Sequence, residues 1–218
     1  MDQAGSLDRL LAQVRACRVC AADLPGGVRP IVQVGVGAPI VIIGQAPGRR
    51  VHLSGVPWSD ASGVRLRAWL GLSQEEFYDR SLVALLPMGF CFPGSTTSGD
   101  RPPRPECAPL WHPRLLPYLA SDRLNVIIGA YAQRRYLVER RATLTQTVAA
   151  WEQFLPDTVV LPHPSPRNQR WLSVNPWFET EAVPAVRRRV RQALRRPTPL
   201  EGEVAPVPMS IAPLTGNP

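Results

Sequence analysis

Four short apolar runs punctuate the chain: Pro39–Gly44 (PIVIIG), Leu82–Leu86 (LVALL), Leu124–Gly129 (LNVIIG) and Thr158–Leu161 (TVVL). Each is rich in β-branched residues or Leu and is bounded by Gly, Pro or polar residues. This predicts four buried strands. Helical patterns lie between them, over Ser6–Ala16, Ser62–Leu70, Pro109–Leu119, Ala130–Glu139, Thr145–Phe154 and Glu179–Leu194. Pro113 and Pro117 weaken the third of these, and Pro184 is expected to break or kink the last one early. Strands that alternate with helices predict an α/β fold. We expect a three-layer αβα sandwich with a central four-stranded, mostly parallel sheet. Ligands then bind in the loops beyond the carboxyl ends of the strands.

The pattern stops at residue 196. Residues 196–218 (RPTPLEGEVAPVPMSIAPLTGNP) are Pro-rich and have no periodicity, so a disordered tail is expected after one folded domain over residues 1–195. With 218 residues, 44% of them hydrophobic, the chain has enough apolar material for one sizeable core. No apolar run approaches the roughly 18 residues of a membrane span. The N-terminus lacks a basic start followed by an apolar block. The expectation is a soluble, cytoplasmic monomer with no membrane partner.

The net charge is +8, and all 25 basic residues are Arg. Without Lys, a lysine Schiff base is excluded. Guanidinium groups suit phosphate oxygens, but charge alone also fits an ordinary basic protein. Arg49, Arg50, Arg167 and Arg170 flank the two loops described next and suggest a phosphate-binding rim. The run Arg187 to Arg189 reads as a solvated helix face.

Two strand ends carry candidate chemistry. The first strand runs into GQAPG (Gly44, Gln45, Ala46, Pro47, Gly48), where the glycines permit a tight turn and close backbone approach to a ligand. The last strand runs into LPHPSPRN, which holds His163 and Ser165 between prolines at the same sheet edge. A rigid His loop opposite a Gly loop suits a small planar ligand. Between them, GVPWSDASG offers Trp58 as a stacking face or a core side chain. Its Asp60 reads as an acid or as the N-cap of the next helix, with Ser62 competing for the cap.

The cysteines are Cys17, Cys20, Cys91 and Cys107, spaced C-x2-C, then 70 residues, then C-x15-C. In a cytosolic chain this points to metal ligands or buried structural thiols rather than disulfides, and the close C-x2-C pair favours ligation. Zinc and an iron–sulfur cluster both accept four thiolates, and the spacing alone leaves both open. The wide second interval contains Pro and Gly and could wrap a larger object.

Taken together, these segments resemble the uracil-DNA glycosylase superfamily, most closely its iron–sulfur branches, families 4 and 5. The resemblance covers roughly residues 15 to 192. The C-x2-C pair precedes the first strand; GQAPG looks like motif A (GEAPG in family 4, GLAPA in family 5); GVPWSDASG looks like the segment with the base-stacking aromatic; HPSPRN looks like motif B. The resemblance implies a [4Fe–4S] cluster on the four cysteines, with zinc as the alternative. Gln45 stands where family 4 has Glu, and Ala46 where family 1 has Asp. Family 5 places its acid in a downstream GD-x-S-type segment, and Asp60 matches that place. Pro87 stands where relatives often carry a base-reading Asn.

The activity implied is hydrolysis of the N-glycosidic bond of uracil or a related deaminated base in DNA. Asp60 and His163 would be catalytic: Asp60 would stabilise the sugar cation and orient the attacking water, and His163 would donate to a base oxygen. Gly44 to Gly48, Trp58 and Ser165 would bind the base; Arg49, Pro166, Arg167 and Asn168 would contact DNA. With no lysine, the enzyme should be monofunctional. Two other readings stay open: a catalytically inactive DNA-binding member of the fold, and a zinc-stapled α/β protein that binds a small ligand.

Overall fold

The computed structural model describes residues 2–97 and 99–195. The expected tail lies outside these residues. In chain order the elements are α1 (Gln3–Ala16), β1 (Ile40–Ile43), α2 (Arg49–Ser54), α3 (Ala61–Leu70), α4 (Gln74–Tyr78) and β2 (Val83–Leu85). A small hairpin of β3 (Ser95–Thr96) and β4 (Gly99–Asp100) follows, then α5 (Cys107–Leu115) and β5 (Leu124–Ile128). The chain continues with α6 (Gly129–Tyr136), α7 (Leu144–Ala149), β6 (Thr158–Leu161), α8 (Gln169–Val174) and α9 (Val183–Leu194).

The main sheet has the order β2-β1-β5-β6, and every pairing in it is parallel. Each residue of β1 and β2 is buried, as expected of strands covered on both faces by helices. α9 packs on β1 and α3, α6 on β5, and α7 on β6. The expected three-layer αβα architecture is therefore present. The chain leaves β1 toward β2 on one side, while β5 lies on the other. The carboxyl ends of β1 and β5 thus flank a topological switch point, where such sheets open a crevice.

The four strands fall where the apolar runs predict them. Several helices differ, each for a local reason. α2, α4 and α8 are five or six residues long, too short for an apolar stripe to show. α4 nevertheless carries a capping box: Ser73 Oγ accepts from Glu76 N–H at 3.1 Å, and Glu76 Oε2 accepts from Ser73 N–H at 2.8 Å. The helix expected over Pro109–Leu119 starts at Cys107 and tightens into a 3-10 turn, Leu116–Tyr118, around Pro117. That expected over Thr145–Phe154 divides into α7 and a 3-10 turn, Trp151–Phe154. Pro184 does not break the closing helix. It occupies the first turn of α9, where its missing N–H costs nothing, and the preceding turn widens to a π segment, Phe178–Ala182.

The run Arg187 to Arg189 is not a uniformly solvated face. Arg189 is only 5% exposed, and its Nε donates to the Pro156 carbonyl at 2.5 Å. Arg187 donates through Nε and Nη2 to the Ala68 carbonyl at 3.0 and 2.8 Å, satisfying the end of α3.

Candidate active site

The loop after β1 is stitched to the segment after β2: Met88 N–H donates to Gly44 O at 2.8 Å and Gly89 N–H to Gln45 O at 3.0 Å. Gly44 itself is buried and does not reach the ligand space, contrary to the expectation from sequence. Its role is to make room. A Cβ there would lie 2.7 Å from Trp58 Cζ2, so the indole rests directly on the glycine. Gln45, Ala46, Pro47 and Gly48 line a cavity of about 640 Å³, within the usual range for small-molecule sites.

Trp58 lines the same cavity. Its φ is 55°, a left-handed conformation that is costly for a bulky residue and is often concentrated at functional sites. The turn is held from below by α3. A Cβ on Gly63 would fall 1.7 Å from the Trp58 carbonyl oxygen, so only glycine fits beneath it. Arg67 Nη1 donates to that carbonyl at 3.4 Å. The two readings of Asp60 hold together. Its Oδ1 accepts from Gly63 N–H at 3.0 Å, which makes it the N-cap of α3, while the residue lines the cavity. Ser62, the competing cap, lies inside the first turn and is buried.

His163 is fixed from several directions. Asn168 Nδ2 donates to its carbonyl at 2.7 Å, and Ser165 N–H donates to its Nδ1 at 3.2 Å. A ring nitrogen that accepts is unprotonated, so the neutral ring carries its hydrogen on Nε2. Burial lowers the His163 pKa below its ordinary value, partly opposed by the charges of Asp60 and Asp100. At neutral pH His163 is therefore an uncharged Nε2–H donor. Its ring lies 5.9 Å from that of Trp58, tilted by 32°. Ser165 lines the cavity, but its hydroxyl accepts from Arg167 N–H at 3.2 Å and caps the turn Pro166–Asn168. Arg49, Pro166, Arg167 and Asn168 complete the rim; of these, Arg49, Pro166 and Arg167 are exposed.

Three contributors are not legible from the motifs. Arg65 on α3 donates to Ser165 O at 3.3 Å and to Gln169 Oε1 at 3.0 Å, which ties the Asp60 helix to the His163 loop. His112 on α5 is buried, and burial pushes its pKa down to about 4. Its neutral ring hydrogen-bonds through Nδ1 to the Tyr136 hydroxyl, while Nε2 donates to the Pro87 carbonyl at 3.0 Å. Pro87, at the place of the absent base-reading Asn, lines the cavity with a carbonyl already engaged. The third is Asp100, at the end of the hairpin.

The four cysteines are free thiols that line a second cavity between α1, the Phe90–Phe92 segment and the start of α5. The remaining wall is largely apolar, with Val14, Leu24, Leu110 and Trp111. Phe90 N–H donates to Cys107 Sγ at 3.3 Å. Burial pushes the Cys107 thiol up to about 12 and also raises Cys91 and Cys20. Among the described residues, no three His, Cys, Asp or Glu side chains gather as a single metal ion would require. Four soft donors around one apolar cavity suit an iron–sulfur cluster by donor type.

A parallel sheet with its loops at one edge, and a glycine loop facing a histidine loop across an open cavity, define a doubly wound α/β protein with a candidate small-ligand site. The chain belongs to the uracil DNA glycosylase superfamily, whose pattern matches residues 32–187. Among curated proteins it is similar to the Type-4 uracil-DNA glycosylase of Archaeoglobus fulgidus, 32% identical over 129 residues. That match covers 56% of this chain and 58% of the archaeal protein, so the chain spans little more than half the length of that relative. No helix among the described residues is long and apolar enough to cross a membrane.

Proposed function

We propose that this chain hydrolyses the N-glycosidic bond of uracil, or of a related deaminated base, in DNA and leaves an abasic site. The reading rests on one convergence: a neutral Nε2–H donor on His163, the Asp60 carboxylate and the Trp58 face border one cavity. Membership of the superfamily and the name of the archaeal relative support it.

The chemistry follows from these groups. A base inside a duplex is inaccessible, so it is flipped out or taken from a single strand. Trp58 stacks on it. Backbone groups of Gln45 to Gly48 hold its edge, and the Gln45 amide adds a contact. As the bond from C1′ to the base nitrogen breaks, its electron pair leaves with the base. His163 Nε2–H donates to the base oxygen on which that charge accumulates. Asp60 stabilises the sugar cation. The Pro166–Asn168 turn reaches the DNA, with Arg167 in the gap left by the flipped base or on a phosphate, and Arg49 on the rim. With no lysine in the sequence, no Lys amine is available for strand scission.

On this reading Cys17, Cys20, Cys91 and Cys107 hold a [4Fe–4S] cluster. When bound, it supplies a covalent staple between α1 and the hairpin loop. A DNA-binding member without turnover is the second reading, favoured by Gln45 and Ala46 in place of the motif-A acids. Release of free uracil from a labelled oligonucleotide, with strand breakage only after alkali, separates the two.

A further inference from the structure

We propose that Asp100 is a second carboxylate of the reaction and holds the attacking water, an inference that rests on the base-release reading above. Asp100 ends β4, in the hairpin strung between Cys91 and Cys107. It lines the same cavity as His163 and Asp60 and belongs to a different wall. Its Oδ2 lies over the motif loop, where a Cβ on Gly48 would be 3.3 Å from it. The Ser95 hydroxyl donates to Oδ1 at 2.6 Å and orients the carboxylate. On its other side the hairpin meets the histidine loop. Gly99 has φ 143°, and a Cβ there would stand 2.5 Å from Arg167 Nη1, so the guanidinium rests on the glycine. The hairpin therefore bridges the two ligand loops and carries an acid between them. The negative charge of Asp100 reaches His163, in keeping with this placement.

Enzymes that hydrolyse O-glycosidic bonds commonly divide the work between two carboxylates, one of which can activate the water, and the same division is open to an N-glycosidic bond. Asp60, with Oδ1 held by Gly63, faces the cationic sugar. A water held by Asp100 Oδ2 attacks C1′. Its oxygen bonds to that carbon, one of its protons passes to Asp100, and the base departs with the electron pair of the broken bond. Asp100 is exposed, so the proton can pass on to solvent, from which the departing base takes one up.

The test is single-turnover uracil release by Asp100→Asn at saturating enzyme, beside DNA binding by the same variant. A loss of about 10²-fold in rate is expected, the range for a positioned acid–base group. DNA affinity should hold or rise, because one negative charge leaves a surface that faces phosphates. A rate within about threefold of the wild type overturns the inference. So does a rate deficit that vanishes once the DNA is fully bound. Ser95→Ala, an exposed change, keeps the question decidable if Asp100→Asn fails to fold. It should slow release about threefold to tenfold without weakening binding, and an unchanged rate overturns the inference. A wild-type chain that releases no base contradicts the base-release reading itself, whereas an active wild type with an unaffected Asp100→Asn variant contradicts only the role of Asp100.

Discussion

The backbone N–H of Ser165 donates to Nδ1 of His163 at 3.2 Å, and this bond decides which ring nitrogen bears the hydrogen. Pro164 and Pro166 fix the backbone on either side of Ser165, so the tautomer is built into the loop. Burial disfavours the charged ring and shifts His163 below its ordinary pKa. The rate of base release should therefore show no inflection from this ring near pH 6.5 and should respond to it only at lower pH. His163→Ala should slow release about 10² to 10³-fold, the cost of one donor to a developing anion. A pH profile of single-turnover rates checks the first statement, and the variant checks the second.

His112 makes the fold acid-sensitive. The native ring stays neutral down to about pH 4, whereas the unfolded ring takes up its proton near 6.5. Below 6.5 the unfolded state binds more protons, so stability is lost as pH falls from 6.5 to 4 and is fully present above that window. The loss attributable to this residue is on the order of 3 kcal/mol. Denaturant titrations across the window should show a shallower pH slope for His112→Gln than for the wild type.

Gly44→Ala tests the bed on which Trp58 lies. The added methyl would meet Cζ2 at 2.7 Å and must displace the indole, because the glycine is part of the buried strand end. The fold should survive, with base release slowed at least about tenfold, since small misplacement of a positioned group is costly. Trp fluorescence and the release assay together report the change.

Cys17→Ala removes one of the four thiols around the second cavity. Purified wild-type protein should be brown and contain iron with inorganic sulfide, and the variant should lose both. It should also lose stability where α1 meets the hairpin loop, because a cluster bound there would contribute to folding. A colourless, iron-free wild type that is as stable as Cys17→Ala would contradict the cluster.

The sheet was legible because its strands are buried on both faces and read as uninterrupted apolar runs. The two loops that border the cavity were legible because Gly44, Gly48 and the prolines around His163 restrict the backbone in recognisable ways. Short helices were not, since five or six residues carry no periodic stripe. Arg189 was misread because a run of three arginines looks solvated until the Pro156 carbonyl beside it is known. His112 and Asp100 were hidden for a different reason: each acts on the cavity from an element remote in sequence, and only the folded chain brings them to Pro87 and Gly48.

Asp60 carries the most direct test. Asn caps a helix as well as Asp does, so Asp60→Asn should keep the cap on Gly63 while it removes the charge. Asp60→Ala removes both and should cost about 1 kcal/mol of stability as well. The measurement is single-turnover base release from an oligonucleotide with one uracil, by the wild type and by Asp60→Asn. Release by the wild type that falls by about 10²-fold or more in a folded, DNA-binding variant is the predicted result. Equal rates, or no release by a folded wild type, would contradict the account.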